Sequence, residues 1–429
     1  LDFRQTAVIW PPAAERSAPA APWWLPRPVL REFVSDLLDG ELFHLRGSSP
    51  RMAWRDELLF ERDLGVDSLE RLQLASVMSQ CLHLHESGIE DALLARRSFG
   101  EWVDLAQAGL ELFSTQLTFR TSGSTGTPKA CAHSVASLLQ ESAQHGQLFG
   151  DRTRILCAVP RHHIYGFLFG VLLPNALALP PERVINVRAS TPAWLAQGAR
   201  PGDLVVGHPD YWAAVAQTVP ALARDVIGVT STAPCSDLVS EAVEQLGLAR
   251  LFQIYGSSET AGIGWRASQR EPYNLFSHLC FSADDGVDLV RRLPDGERIA
   301  VVCQDRIERI GSDRFHVVAR CDNAVQVGGI NVFTAHVRDV LLRHPQVQDA
   351  AVRLMQPHEG SRLKAFVVPV AGVGDGAEFV LQLRRWIDKE LEVAERPKAI
   401  RLGAQLPVTD SGKAADWSTT KASEPQRHW

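Results

Sequence analysis

Thr118-Phe119-Arg120-Thr121-Ser122-Gly123-Ser124-Thr125-Gly126-Thr127-Pro128-Lys129 decides how the chain of 429 residues is read. Hydroxyl side chains alternate with two glycines and then meet a proline and a lysine. Such a run can wrap backbone N–H groups and hydroxyls around phosphate oxygens, because glycine lets the backbone approach an anion closely. The spacing is not that of the G-x-x-x-x-G-K-[ST] loop: Gly123 and Gly126 are too close, and no Ser or Thr follows Lys129. A mobile turn ahead of a helix would use similar residues. The remainder of the chain has to separate the two readings.

The string T-S-G-S-T-G-T-P-K resembles the phosphate loop of the adenylate-forming superfamily, which comprises acyl-CoA synthetases, adenylation domains and related ligases. The resemblance implies that Thr121, Ser122, Gly123, Ser124, Thr125, Gly126 and Lys129 bind the phosphates of ATP. Further along, Gln253-Ile254-Tyr255-Gly256-Ser257-Ser258-Glu259-Thr260 resembles the Y-G-x-T-E signature of the same family. There the tyrosine stacks on adenine, the hydroxyl touches the α-phosphate and the glutamate holds magnesium, which implies Tyr255, Gly256, Ser258 and Glu259 in those roles. Ser258 keeps the hydroxyl of the usual threonine and lacks its methyl. Glu259 is a hard oxygen ligand of the kind Mg²⁺ takes beside phosphates.

Three more segments carry the resemblance. Val229-Thr230-Ser231-Thr232-Ala233-Pro234 looks like the adenine-contacting segment and contributes Ala233; an ordinary strand-to-helix turn would also use such residues. Asp305 precedes Arg320 by fifteen residues, the interval expected between the ribose-binding aspartate and the arginine of G-R-x-D, although Cys303-Gln304 replaces the usual Thr-Gly. Asp322 then matches the hinge that rotates between half-reactions. Gln405-Leu406-Pro407-Val408-Thr409-Asp410-Ser411-Gly412-Lys413 resembles the closing L-P-x-T-x-x-G-K, and Lys413 would counter charge where carboxylate meets phosphorus.

For the acid, Val159-Pro160-Arg161-His162-His163-Ile164-Tyr165-Gly166-Phe167 resembles the P-x-x-H-x-x-G segment lining the pocket of coumarate-type ligases. This implies His163, Tyr165 and Gly166 at the pocket, with His162 read as a core histidine. Gly328-Gly329 resembles a loop lining the pantetheine tunnel, and reads equally well as a hairpin turn.

The sequence ahead of the loop is helical. Residues 1–27, rich in Ala and Pro around Trp23-Trp24, read as an extended lead-in. Val29, Leu30, Phe33, Val34, Leu37 and Leu38 fall at helical spacing. Asp67-Ser68-Leu69 opens a second helix, where Asp67 or Ser68 serves as N-cap. D-L-G-x-D-S-L-E at that place, with a later helix from Phe99 to Ala108, resembles an acyl carrier protein over 28–110. The resemblance implies a phosphopantetheine arm on Ser68, added by a phosphopantetheinyl transferase.

From Arg154 to Ile254 short β-rich runs alternate with helical ones, which predicts parallel strands with crossover helices and a ligand site beyond their carboxyl ends. The expected fold is therefore α/β. It has the parallel-sheet catalytic body of an adenylate-forming ligase over 111–321, a small α+β lid over 322–429, and a carrier-like helical bundle in front.

Composition fits this reading. Hydrophobic residues make up 45% and charged residues 22%, as in ordinary globular chains. A formal charge of −6, a pI near 6.2 and the lack of dense Lys/Arg runs argue against nucleic acid as partner. The apolar stretch Ile164–Leu179 is broken by Pro174 and Asn175 and is too short to span a bilayer. Seven cysteines without C-x-x-C pairs argue against zinc or a disulfide framework. With no export-type start, these features predict a cytoplasmic protein with reduced thiols.

The expected activity is ATP- and Mg²⁺-dependent conversion of an aryl or acyl carboxylic acid to its adenylate, followed by transfer to a phosphopantetheine thiol. The acceptor is left open between the fused carrier, a separate acyl carrier protein and CoA, in a setting closer to polyketide-like or lipid pathways than to central metabolism. The linker 110–118 spans at most about 30 Å, short for a visit of Ser68 to its own site. Departures from the family pattern are plain. The long subdomain usually preceding the loop is missing, His336-Val337-Arg338 replaces E-I-E, and Ala414-Ala415-Asp416 replaces basic residues after G-K. An idle adenylation fold that docks a carrier protein is the competing expectation.

Overall fold

The computed structural model describes residues 21–48, 50, 52–120, 129–282, 288–320, 324–356, 358–370, 372, 376–407 and 415–418. The chain opens with a bundle. Helix α1 (Arg27–Arg46) begins with proline in its first turn and stops at Gly47, whose φ of 69° is the left-handed conformation that glycine adopts freely. After α2 (Phe60–Leu64), α3 (Ser68–Leu82) starts on a complete capping box: Asp67 accepts from the backbone of Leu69 and Glu70, while Glu70 accepts from Asp67. Two short helices, α4 (Leu84–Ser87) and α5 (Ala92–Ala95), lead to α6 (Phe99–Leu112), capped by Ser98 and Glu101 in the same manner.

Phe33, Phe60, Phe99 and Trp102 fill the centre of the bundle, and the Trp102 indole N–H donates to the Leu93 carbonyl at 2.9 Å. Trp23 and Trp24, expected in an extended lead-in, are instead buried; Trp23 meets Phe33 and Phe167 edge-on at 5.5 and 5.0 Å. Phe167 belongs to the catalytic body. One hydrophobic core therefore runs from the bundle into the body, across position 110.

Strand β1 (Gln116–Arg120) pairs antiparallel with β2 (Ala130–Ser134), Arg120 opposite Ala130. The residues expected to form the phosphate loop, Thr121, Ser122, Gly123, Ser124, Thr125 and Gly126, lie outside the described residues. Helix α7 (Val135–Leu148) follows directly, capped by Ser134.

The body is a nine-stranded sheet. Its first part contains β3 (Arg154–Cys157), β4 (Val184–Asn186), β5 (Asp203–Gly207), β6 (Ile227–Thr230) and β7 (Arg250–Ser257). These five are parallel, as the alternating pattern predicts. The buried run after β3 is α8 (Ile164–Phe167), a π-helical segment (Leu168–Leu172) and α9 (Leu173–Ala176). The later crossovers carry α10 (Leu195–Gly198), α11 (Pro209–Thr218) and α12 (Asp237–Gln245).

The reading of parallel strands holds over 154–254, and the parallel-sheet body is corrected beyond β7. There β8 (Ala261–Arg266), β9 (Tyr273–Leu275), β13 (Asp305–Ile310) and β14 (Arg314–Arg320) pair antiparallel, with short reversals in place of crossover helices from β7 to β8, β8 to β9 and β13 to β14. A separate three-stranded sheet, β10 (Leu279–Phe281), β11 (Leu289–Arg292) and β12 (Arg298–Val301), comes between β9 and β13 in the chain.

The C-terminal part begins with the hairpin β15 (Ala324–Val327) and β16 (Ile330–Phe333), whose turn residues Gly328 and Gly329 have φ of 58° and 80°. This is a two-glycine hairpin turn, the simpler of the two readings. Helix α13 (Thr334–Leu342), β17 (Val347–Leu354), β18 (Leu363–Pro369), α14 (Gly376–Glu390) and β19 (Ala399–Leu402) build an α+β unit with its own core. Asp322 and Lys413 lie outside the described residues.

Fully buried Lys364 explains one departure noted in the sequence. Its ammonium bonds Glu359 at 2.6 Å, the Trp417 carbonyl at 2.6 Å and Asp416 at 3.1 Å. The acidic residue after the G-K motif thus pins the chain three residues beyond Lys413. Replacing Lys364 with Met should remove the cation beside buried Glu359 and cost about 3 kcal/mol of the C-terminal unit's stability, read by urea unfolding of the full chain.

Candidate active site

Tyr255 lies near the end of β7, and its hydroxyl donates to Asp305 Oδ2 at 2.7 Å. Burial first, then the carboxylate beside it, raises the phenol well above its ordinary pKa, so it stays a donor at every physiological pH. Asp305 opens β13 and faces Arg320 across the β13–β14 hairpin. The fifteen-residue interval between the two is thus a structural consequence: going up one strand and down the next returns the backbone to its starting level.

Glu259 sits in the reversal between β7 and β8. A Cβ on Gly256 would fall 2.2 Å from the Ala261 carbonyl, so the reversal demands glycine there. The Glu259 carboxylate, with 27% of its side chain exposed, lies 3.6 Å from the Lys129 ammonium. His133, on β2, donates from Nε2 to the Ser258 carbonyl at 2.7 Å. Both residues follow the phosphate loop closely, so the loop's exit is fixed against Ser258 and Glu259. Thr232, next to Ala233, has φ of 79°, a strained value for a β-branched residue. A Cβ on Gly329 would come 2.9 Å from the Thr232 hydroxyl, which brings the C-terminal hairpin onto the same rim.

The residues expected at the acid pocket differ in their surroundings. His163 is exposed, in a crowded recess where desolvation and the nearby Arg188 charge push its pKa down and keep the imidazole neutral. Tyr165 is buried, its hydroxyl donating to the Gly207 carbonyl at 3.0 Å, so it anchors the segment to the end of β5. Gly166 is required by space, since a Cβ would stand 1.9 Å from the Pro160 carbonyl.

One group escaped sequence reading altogether. Glu141 on α7 is fully buried and accepts from the Gly262 amide with both oxygens, at 2.9 and 3.0 Å. Burial pushes it up to about 7 against the pull of Arg291, which donates to the carbonyls of Ser137 and Thr260. The pair props the β7–β8 reversal from behind. Its face of α7 also buries Ser137, Ser142 and His145, so no apolar stripe in the sequence marks it out.

Magnesium takes hard oxygen ligands. Among the described residues, metal-capable side chains converge at His83, His85 and Glu86, whereas Glu259 stands as a single carboxylate at the phosphate end. One hard oxygen suits an ion whose other ligands are phosphates and water.

The AMP-binding enzyme profile matches residues 117–278, and the profile of the AMP-binding enzyme C-terminal domain matches 336–413. A 4-coumarate–CoA ligase of Cereibacter sphaeroides is 42% identical over 370 residues, covering 84% of this chain and 86% of that one. The chain belongs to the AMP-binding enzyme family. It is an AMP-forming ligase. A 4-coumarate–CoA ligase of Halorhodospira halophila is 36% identical over 390 residues, covering 90% of this chain and 97% of that protein. Matches of such length extend ahead of Leu117, into the region of the helical bundle.

Among solved structures, an amide bond synthetase from Marinactinospora thermotolerans superposes with a TM-score of 0.53 at 17% identity, over 90% of this chain and 92% of its own. An o-succinylbenzoate CoA synthetase from Bacillus subtilis gives 0.53 at 17%, over 70% and 67%. These share the fold.

Two outcomes are expected of this AMP-binding enzyme. Tyr255→Phe deletes the bond to Asp305 and should raise the KM for ATP about fivefold, leaving the KM for the acid unchanged in pyrophosphate-release assays. His145 and His278 are buried, and desolvation pushes both down to about 3. Their neutral forms stabilise the fold above about pH 6.5, and that stability is lost as pH falls toward 3. Glu141 works in the opposite sense, losing stability as pH rises from the ordinary carboxylate range to about 7. Two histidines outweigh one carboxylate, so the melting temperature should fall below pH 6.5, and His145→Gln should flatten that fall.

Proposed function

We propose that the protein converts an aryl carboxylic acid, 4-coumarate or a close analogue, to its acyl-adenylate and then to the CoA thioester. The carrying observation is the convergence of Tyr255 with Asp305 and of Lys129 with Glu259. In the first step a carboxylate oxygen attacks the α-phosphorus of ATP and pyrophosphate leaves. In the second, the thiol sulfur attacks the acyl carbon, AMP leaves, and the thiol proton passes to solvent. Neither step needs a covalent enzyme intermediate; positioning and charge neutralisation suffice.

The proposed assignments follow. The loop Thr121–Gly126 and Lys129 hold the phosphates. Glu259 holds magnesium, which when bound neutralises phosphate charge. Ala233, Tyr255 and Gly256 line the adenine, Ser258 touches the α-phosphate, and Asp305 and Arg320 take the ribose. Asp322 is the hinge, and Lys413 reaches the forming anhydride. His163, with Tyr165 and Gly166 behind it, borders the acid.

CoA is the proposed acceptor, as in the names of the relatives. A carrier role for the bundle has separate support: Ser68 is exposed at the start of α3, with Leu69 and Leu72 exposed (76% and 52%) on the following turn. Intact mass after treatment with a phosphopantetheinyl transferase decides it. A gain of one arm, lost in Ser68→Ala, makes Ser68 an attachment site; an unchanged mass leaves the bundle a structural part of the ligase.

Pyrophosphate release across a panel of carboxylic acids tests the main reading. Release with aryl acids is expected, and none with any acid would favour the idle docking fold. Lys413→Ala should lower adenylate formation by about a hundredfold while thiol transfer from supplied adenylate stays within about threefold.

A further inference from the structure

The segment bordering the acid is held by the helical bundle. Glu32, Asp36 and Gly40 recur every fourth residue on α1 and so form one stripe along the helix. Asp36, buried, accepts from the Arg161 backbone N–H at 3.0 Å through Oδ2 and from the Arg188 guanidinium at 2.7 Å through Oδ1. Glu32 takes the Arg161 side chain at 2.9 Å. One turn further along α1, a Cβ on Gly40 would fall 2.6 Å from His162 Cε1 and 2.7 Å from Nε2. The His162 ring in turn lies 4.3 Å, centroid to centroid, from His163. A cavity of about 140 Å³ lies along this seam, lined by Gly40, Glu41, Cys81, Thr118, His162 and His163 with neighbouring residues.

These contacts form a chain of constraint from α1 to the acid. Asp36 fixes the backbone at Arg161, and the missing side chain of Gly40 leaves the space that the His162 ring fills. His163 has its neighbour's ring on one side and the recess on the other. A helix of the bundle thereby packs directly against the segment that carries the His162–His163 pair.

We propose that Asp36 and Gly40 are positioning residues for acid selection, acting through the His162–His163 pair; this rests on the functional reading given above. The test uses the full chain, 4-coumarate and ATP, with pyrophosphate release as readout. Gly40→Ala and Asp36→Asn should each raise the KM for the acid about tenfold while the KM for ATP stays within about twofold. A merely structural role would reduce the active fraction, lowering kcat and leaving both KM values alone. His162→Ala opens the space a Cβ needs, so in that background Gly40→Ala should change the acid KM no further.

Unsplit KM values, or a Gly40→Ala effect that persists in full beside His162→Ala, would overturn the inference while leaving the activity in place. A wild-type chain silent with every acid would remove the functional reading and this inference with it.

Discussion

The tight reversal from β7 to β8 governs the polar architecture. Neither Gly256 nor Gly262 has room for a side chain: a Cβ would meet the Ala261 carbonyl in one case and the Glu141 carboxylate in the other, each at 2.2 Å. Behind the reversal, buried Glu141 and Arg291 satisfy its backbone. In front, His133 and Lys129 tie it to the exit of the phosphate loop. Burying a carboxylate is costly unless amides and a cation face it, and here they do. The result is a rigid seat for Glu259 and Tyr255, which is what preorganised charge stabilisation requires.

The second constraint is hydrophobic. Trp23, Phe33 and Phe167 meet edge to edge, and the bundle's core continues into the sheet. Burial of this kind joins the bundle and the body in one hydrophobic core. The carrier resemblance rests on the sequence around Asp67-Ser68-Leu69, while the first helix of the bundle contacts the body through Glu32, Asp36 and Gly40.

Much of the fold was legible because it rests on local rules. The strands β3 to β7 announce themselves by apolar runs separated by helical ones, and the caps at Asp67 and Ser98 mark helix starts. The antiparallel half of the sheet was not legible, since short strands such as β9 carry too few residues to show a period. The proposed site residues Tyr255 and Glu259 were singled out by resemblance to a compact motif. Asp305 and Arg320 were singled out by their interval, and the hairpin places their backbones opposite each other. Glu141, Lys364 and the Glu32–Asp36–Gly40 stripe were not, because each acts on a partner more than a hundred residues away or on one supplied by an irregular segment.

The central claim is that Tyr255, Asp305 and Glu259 face one nucleotide. A crystal structure with a hydrolysis-resistant acyl-adenylate mimic, an aryl acyl-sulfamoyl adenosine, tests it most directly. The account predicts adenosine beside Tyr255, ribose hydroxyls on Asp305 and the sulfamoyl group toward Glu259. A mimic bound elsewhere, or touching Tyr255 and Asp305 while Glu259 points into a separate cavity, would contradict it.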